Sequence, residues 1–197
     1  MKLNILVAGC LFAAVAAVPA AAQQTTYTAQ LLGSNEEPTP NDSPGTGTAI
    51  VTIDINGSAR TMQIQESFND LVAGTTVSHI HCCTSAPDGG TAMPATQVPS
   101  FVNFPTGVTS GTYNMTFNMN DEDSYNPMFV ENNGGTAASA FDALVAGLDS
   151  GRAYANIHTT TYPAGEIRGT LVPEPETYAM LLAGLAMVGA MARRRRV

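Results

Sequence analysis

Short segments in which apolar and polar side chains alternate most limit the fold that this 197-residue sequence can adopt. The clearest is 111–120, where the aromatic and methionine side chains face one way and the Asn and Thr side chains the other. A period of two is typical of a β-strand with one buried face. Segments 48–55 and 60–68 alternate in the same way on either side of Asn56-Gly57, which predicts a β-hairpin.

Four further segments have the composition of strands, and one has the spacing of a helix. The strand segments are 25–32, 72–82, 152–159 and 166–171. Between residues 136 and 151, apolar side chains recur on one helical face at Phe141, Leu144, Val145 and Leu148. Many short strands separated by Gly- and Pro-rich turns predict a mainly β protein, an antiparallel β-sandwich or barrel-like sandwich with one short helix.

Charge is unevenly distributed along the chain. The formal net charge is −8, yet Arg193 to Arg196 supply half of the eight basic residues. Between residues 23 and 172 only Arg60, Arg152 and Arg168 stand against fourteen Asp and Glu residues. A segment with this excess of negative charge repels the phosphate backbone of nucleic acids, which excludes nucleic-acid binding as the function. Glu166 and Arg168 alternate onto one strand face, where an exposed ion pair is expected.

The first 22 residues have the features of a secretory signal peptide. Lys2 provides a basic start, residues 3–18 are apolar, and Ala20 and Ala22 satisfy the small-residue cleavage pattern before Gln23. A box similar to that of bacterial lipoproteins ends at Cys10, but the apolar run continues beyond it. Cleavage by signal peptidase after residue 22 is therefore the favoured prediction.

The last segment, 172–197, combines a short motif, an apolar stretch and a basic cluster. The motif is Pro173, Glu174 and Pro175, the apolar stretch is 178–192, and the cluster is Arg193, Arg194, Arg195 and Arg196. A helix over that stretch spans about 22 Å, which is short for a hydrocarbon core of about 30 Å. A hydrophobic helix that inserts transiently, with its arginines on the cytoplasmic side, is predicted.

This order of features resembles the PEP-CTERM sorting signal of Gram-negative bacteria. The resemblance implies that a membrane-embedded exosortase cuts near residues 173–175 after an inner-membrane intermediate. The product would reach the cell surface or the exopolysaccharide matrix. The sequence then divides into a signal peptide at 1–22, a β domain at 23–171 and a sorting segment at 172–197.

Two of the three histidines alternate within one predicted strand. His79 and His81 would share a face about 6.5 to 7 Å apart, and His158 lies in a similar strand context. Imidazole suits copper and zinc, so the three histidines predict a metal site, with Cys83 or Asp88 as a fourth ligand. The alternative is that they are neutral and hydrogen-bond loops to the sheet edge.

Cys82 and Cys83 are the cysteines that remain if the signal peptide removes Cys10. An exported protein reaches an oxidising compartment, so a disulfide between these neighbours is the favoured interpretation. Thiolate metal ligation comes second, and redox catalysis third.

The body of the chain resembles a CHRD domain, the module named for chordin and also found in bacterial secreted proteins. The matching segments are 31–38 (Leu-Leu-Gly-Ser-Asn-Glu-Glu-Pro), 79–81 (His-Ile-His), 156–159 (Asn-Ile-His-Thr) and 165–169 (Gly-Glu-Ile-Arg-Gly). They follow the family order across 27–171. Cys82-Cys83 stands where a Gly-Pro-like turn commonly follows His-Ile-His. The resemblance implies a fold but no established reaction.

Two functional hypotheses follow. The first is a non-enzymatic secreted CHRD module, associated with the surface or matrix, that binds extracellular polysaccharide or a surface protein. The second is a small copper- or zinc-binding protein or oxidoreductase that uses His79, His81 and His158. The sequence contains no Gly-x-Ser-x-Gly elbow, P-loop or dinucleotide-binding fingerprint, so those enzyme classes are not expected.

Overall fold

The computed structural model describes residues 23–174. The predicted signal peptide, Pro175, the predicted hydrophobic helix and the arginine cluster lie outside the described residues. Within 23–174, no helix is both long and apolar enough to cross a membrane.

In this part of the chain, eight strands and two α-helices form. The strands are β1 (Gln23–Leu32), β2 (Thr46–Asn56), β3 (Ala59–Asn69), β4 (Thr75–Cys82), β5 (Gly111–Asn118), β6 (Ala153–Thr159), β7 (Ile167–Thr170) and β8 (Val172–Pro173). The helices are α1 (Pro127–Asn132) and α2 (Ala137–Asp149). Single 3₁₀ turns occur at Gly33–Asn35 and Glu122–Ser124.

All of these strands join one antiparallel sheet in the order β4-β6-β7-β1-β2-β3-β5, with β8 beside β1. The sheet curls into a half-barrel, which confirms the prediction of a mainly β, antiparallel, barrel-like fold. β2 and β3 form the expected hairpin, in which Asn56 pairs with Ala59. Its loop is only Gly57 and Ser58, and Gly57 takes a φ of 62° that favours glycine.

The core lies against the inner face of the sheet. Alternation places Val51, Ile64 and Phe117 there, and all three are buried. Helix α2 is the predicted helix and adds Phe141 and Leu144 to the same core. The six-residue helix α1 was not predicted, because it is too short for a helical period to emerge.

The long connection between β4 and β5 runs along β4. The Cys82 amide donates to the carbonyl of Met93 at 3.1 Å. Farther back along the strand, the Ala95 amide donates to the carbonyl of Ile80 at 2.8 Å. Because β4 ends the sheet, these bonds occupy backbone groups that an edge strand would otherwise expose. The connection therefore covers the strand that carries two of the histidines.

The start of the sorting motif belongs to the sheet. Pro173 pairs with Tyr27 of β1. The next amide, from Glu174, donates to the carbonyl of Thr26 at 2.9 Å. The domain and the sorting segment are therefore joined without a spacer.

Candidate metal centre

β4 and β6 bring the three histidines together on the face of the sheet that points away from the core. His79 and His81 alternate along β4, and His158 lies on the neighbouring strand β6. Between them, Ile80 and Ile157 point into the core. One ring nitrogen of each histidine lies within 4.8 Å of the other two. Strand pairing thus builds one cluster from two distant parts of the sequence.

Each imidazole ring is fixed by a backbone carbonyl from a covering loop. The contacts are His79 Nε2 to Pro99 O at 2.6 Å, His81 Nδ1 to Ala92 O at 2.8 Å and His158 Nδ1 to Pro163 O at 3.0 Å. A carbonyl oxygen can only accept, so the bonded nitrogen of each neutral ring carries the proton. The other nitrogen of each ring must then present a lone pair.

Those three lone-pair nitrogens are buried. His79 Nδ1, His81 Nε2 and His158 Nε2 have no hydrogen-bond partner among residues 23–174. The three side chains are 6 to 7% exposed, so little water reaches them. Buried polar atoms in folded proteins nearly always have a partner. Three unpaired acceptors therefore lie in one buried cluster, and each has a lone pair that could bind a metal ion.

The histidines of the cluster are neutral at pH 7. Burial lowers the pKa of His79 to about 4 and that of His81 to about 3. Burial also lowers the pKa of His158. In each case the hydrogen bond to the carbonyl opposes the shift without cancelling it. Neutral imidazole is the form that binds metal ions.

Tyr154 and Arg168 extend the cluster along the same face. The Tyr154 ring stacks on His81, with centroids 4.7 Å apart and planes inclined by 5°. The Arg168 guanidinium carbon lies 3.6 Å from the centroid of Tyr154, in a cation–π contact. Sequence reasoning did not identify Tyr154, and it assigned Arg168 to an exposed ion pair rather than to this cluster. The signal that could identify them is the register of β4, β6 and β7, which places Tyr154 opposite His81.

A buried polar pair lies beside this stack. Asn156 Nδ2 is 3.5 Å from Glu36 Oε2, while Glu36 Oε1 and Asn156 Oδ1 have no partner among the described residues. Burial raises the pKa of Glu36 to about 7, although the positive charge of Arg168 acts in the opposite direction. The Glu36 carboxyl is therefore partly protonated near neutral pH.

The expected exposed ion pair between Glu166 and Arg168 is wrong. The two side chains are 0% and 3% exposed. The carboxylate of Glu166 accepts hydrogen bonds from Ser43 Oγ, the Val72 amide and Thr159 Oγ1. Loops cover the outer face of β7, and the sequence of a four-residue strand contains no sign of that cover.

Cys82 and Cys83 are joined by a disulfide and contact α2. Cys82 is buried in the core. A Cβ on Gly147 of α2 would overlap the sulfur atoms of both cysteines, so glycine allows the helix to approach. Within 23–174, the cluster of possible metal ligands contains the three histidines and neither Cys83 nor Asp88.

Comparison with known families supports both resemblances. Residues 27–171 match the CHRD domain, and residues 171–196 match the PEP-CTERM protein-sorting motif. No curated protein and no solved structure gave a match. The sorting motif implies processing by exosortase and export through the membrane to the cell surface. The chain therefore belongs to the CHRD-domain family and is an extracellular protein sorted by exosortase.

Proposed function

We propose that this CHRD domain binds one copper or zinc ion through His79, His81 and His158, and presents it outside the cell. Two observations carry the proposal. One ring nitrogen of each histidine lies within 4.8 Å of the other two, and one buried nitrogen of each ring has no hydrogen-bond partner among residues 23–174. Imidazole nitrogen is a common ligand of both metals. The ligand atoms would be His79 Nδ1, His81 Nε2 and His158 Nε2.

A purely structural role explains the hydrogen bond of only one of the two nitrogens in each imidazole ring. The carbonyl contacts explain why one nitrogen of every imidazole is protonated and oriented. They leave the second nitrogen without a partner, at a cost of about 1 to 3 kcal/mol for each buried acceptor. A metal ion would offset that cost at all three positions. The carbonyls then act as the outer partners that orient metal-binding histidines.

The size of the cluster suits a small ion. In a triangle with sides of 4.8 Å, the upper limit on the separations in the cluster, the centre lies about 2.8 Å from each corner. Zinc–nitrogen bonds are about 2.0 to 2.1 Å long, so the rings need to move inward by less than about 1 Å. Three histidines leave the fourth position of a tetrahedral ion open, as in catalytic zinc sites. Redox chemistry at such a site would require copper, because zinc does not change its oxidation state.

Metal content of the purified exported protein tests the proposal. The protein is exposed to copper or zinc, freed of unbound ion and measured by mass spectrometry of the elements. We expect close to one ion per chain, and loss of that ion in a His79→Ala/His81→Ala double variant. The chain contains no histidines beyond these three, so the histidine background is otherwise zero.

An Asn114→Ala/Thr116→Ala double variant is the matched control, because it removes two alternating polar side chains from exposed positions of β5. This variant should bind metal like the unchanged protein. Folded protein that stays metal-free in excess copper and zinc would overturn the proposal. Equal metal content in the histidine variant would overturn it as well.

A further inference from the structure

The covered face of the sheet contains a second feature, a cavity of about 350 Å³ beyond Arg168. Arg168 and Glu36 form its buried part, at 3% and 4% exposure. Ser34 and Thr170 add hydroxyl groups, and Asn35 adds an amide. The volume is at the lower end of the range of ligand pockets, about 300 to 1,000 Å³.

We propose that this cavity binds a neutral, polyhydroxylated ligand, namely a short segment of uncharged polysaccharide. The proposal goes beyond metal binding and does not require a metal ion. Each sugar hydroxyl can donate one hydrogen bond and accept others, so it can contact a carboxylate and a guanidinium together. Arg168 and Glu36 offer that combination in one cavity.

The charge of the cavity argues for an uncharged ligand. Glu37 and Asp88 contribute two carboxylates and Glu36 a partly protonated carboxyl group, against the single guanidinium of Arg168. Phosphate, sulfate or uronate groups would be repelled by this balance. The walls are mostly polar, so an apolar ligand would leave their hydrogen-bonding groups unpaired. A neutral ligand rich in hydroxyl groups satisfies both conditions.

The buried part of the cavity is held in place before any ligand arrives. Arg168 Nη2 donates to the carbonyl of Gly90 at 2.6 Å, and the guanidinium lies on the ring of Tyr154. The opposing side chain, Glu36, retains an oxygen with no partner among residues 23–174. Fixed polar groups bind a ligand at a lower entropic cost than mobile ones. The side chains at the buried end of the cavity are therefore ordered before a ligand binds.

Calorimetric titration of the purified exported protein tests the proposal. The probes are neutral oligosaccharides of glucose, mannose, galactose and N-acetylglucosamine, with oligogalacturonate as the anionic comparator. We expect saturable binding of at least one neutral oligosaccharide. Oligogalacturonate should bind at least about tenfold more weakly, a difference of about 1.4 kcal/mol.

Two matched substitutions locate the binding. Ser34→Phe places a bulky ring at an exposed position on the cavity wall and should abolish binding without changing the core. Ser58→Phe makes the same change in the exposed β2–β3 loop, far along the sequence from the cavity lining, and should leave binding intact. Treatment with a metal chelator should also leave it intact, which separates this proposal from that of the metal site.

Three results would overturn the proposal. They are absence of binding to every neutral oligosaccharide, tighter binding of oligogalacturonate than of any neutral one, and unchanged binding in Ser34→Phe. Loss of binding after chelation would overturn the independence of the two sites and place the sugar at the metal.

Discussion

The two halves of the sheet differ in how far their outer faces are exposed to solvent. Across β1, β2, β3 and β5 the outer face is open to solvent and carries Thr, Gln and Asn, as in the cross-strand row of Thr52, Gln63 and Thr116. Across β4, β6 and β7 loops cover the outer face, and every residue of β6 is buried. The first half is an ordinary one-sided antiparallel sheet. The second half is buried on both faces although its strands are antiparallel.

The difference shows which face of the sheet is suited to a ligand-binding site. Polar side chains on the open face are satisfied by water and by their neighbours. On the covered face, water is scarce, so each polar group requires a partner in the protein or a ligand. The unpaired atoms of His81 and Asn156 lie on this covered face, and that of Glu36 lies on a loop packed against Asn156. Four experiments test the comparison.

Arg168→Ala should lower the free energy of unfolding by about 3 kcal/mol, because it removes the buried guanidinium that donates to the Gly90 carbonyl and packs on the Tyr154 ring. Thr116→Ala on the open face should change this free energy by less than about 0.5 kcal/mol. Urea unfolding followed by circular dichroism measures both. Similar effects of the two substitutions would remove the distinction between the faces.

Metal binding should stabilise the covered half. At a zinc or copper concentration about one hundred times Kd, the free energy of unfolding should rise by about 2.7 kcal/mol, because the ion binds only the folded protein. Urea unfolding with and without the ion measures the rise. It should disappear in His158→Ala and persist in Thr116→Ala. An unchanged rise in His158→Ala would place the ion elsewhere.

Gly147→Ala should lower the free energy of unfolding by about 2 kcal/mol, because the added methyl group overlaps the disulfide below α2. At an unobstructed helical position the same change is favourable by about 1 kcal/mol. Gly89→Ala is the control, since no atom lies within 4 Å of the added carbon. Thermal unfolding measures the stability of both variants. A Gly147→Ala protein more stable than the unchanged protein would contradict the close contact between α2 and the disulfide.

Glu66 on β3 and Ser78 on β4 connect the two halves through the core, with Ser78 Oγ 2.9 Å from Glu66 Oε2. Burial raises the pKa of Glu66 from 4.5 to about 8. The folded state therefore holds the proton more tightly than the unfolded state. This contribution to stability is complete below about pH 4.5 and is lost as the pH rises towards 8, by up to about 1.4 kcal/mol per pH unit.

Glu66→Gln has no such proton, so it serves as the reference for that pH dependence. The stability of the unchanged protein, relative to this variant, should fall as the pH rises. Urea unfolding at several pH values between 4.5 and 8 provides the comparison. A difference that does not vary with pH would mean that Glu66 ionises normally in the folded protein.

The open half could be predicted from the sequence and the covered half only in part. Alternation of apolar and polar side chains indicates a strand with one buried face. The strands around Asn56-Gly57 and the strand ending at Asn118 could therefore be predicted. The spacing of His79 and His81 identified a candidate cluster. Its surroundings could not be predicted, because Glu36 and Asn156 meet through loop folding and strand order, which no local pattern encodes.

The pairing of β8 with β1 places both processing points at one corner of the domain. Thr26, which accepts the hydrogen bond from Glu174, lies about 10 Å along the strand from Gln23. The predicted cut that creates Gln23 and the exosortase cut are both made at the membrane. A newly exported domain would therefore be attached to the bilayer at one end only, where its first and last strands lie side by side. A cut near residues 173–175 would fall within or beside a two-residue, solvent-exposed strand and would leave the pairing of the other seven strands intact.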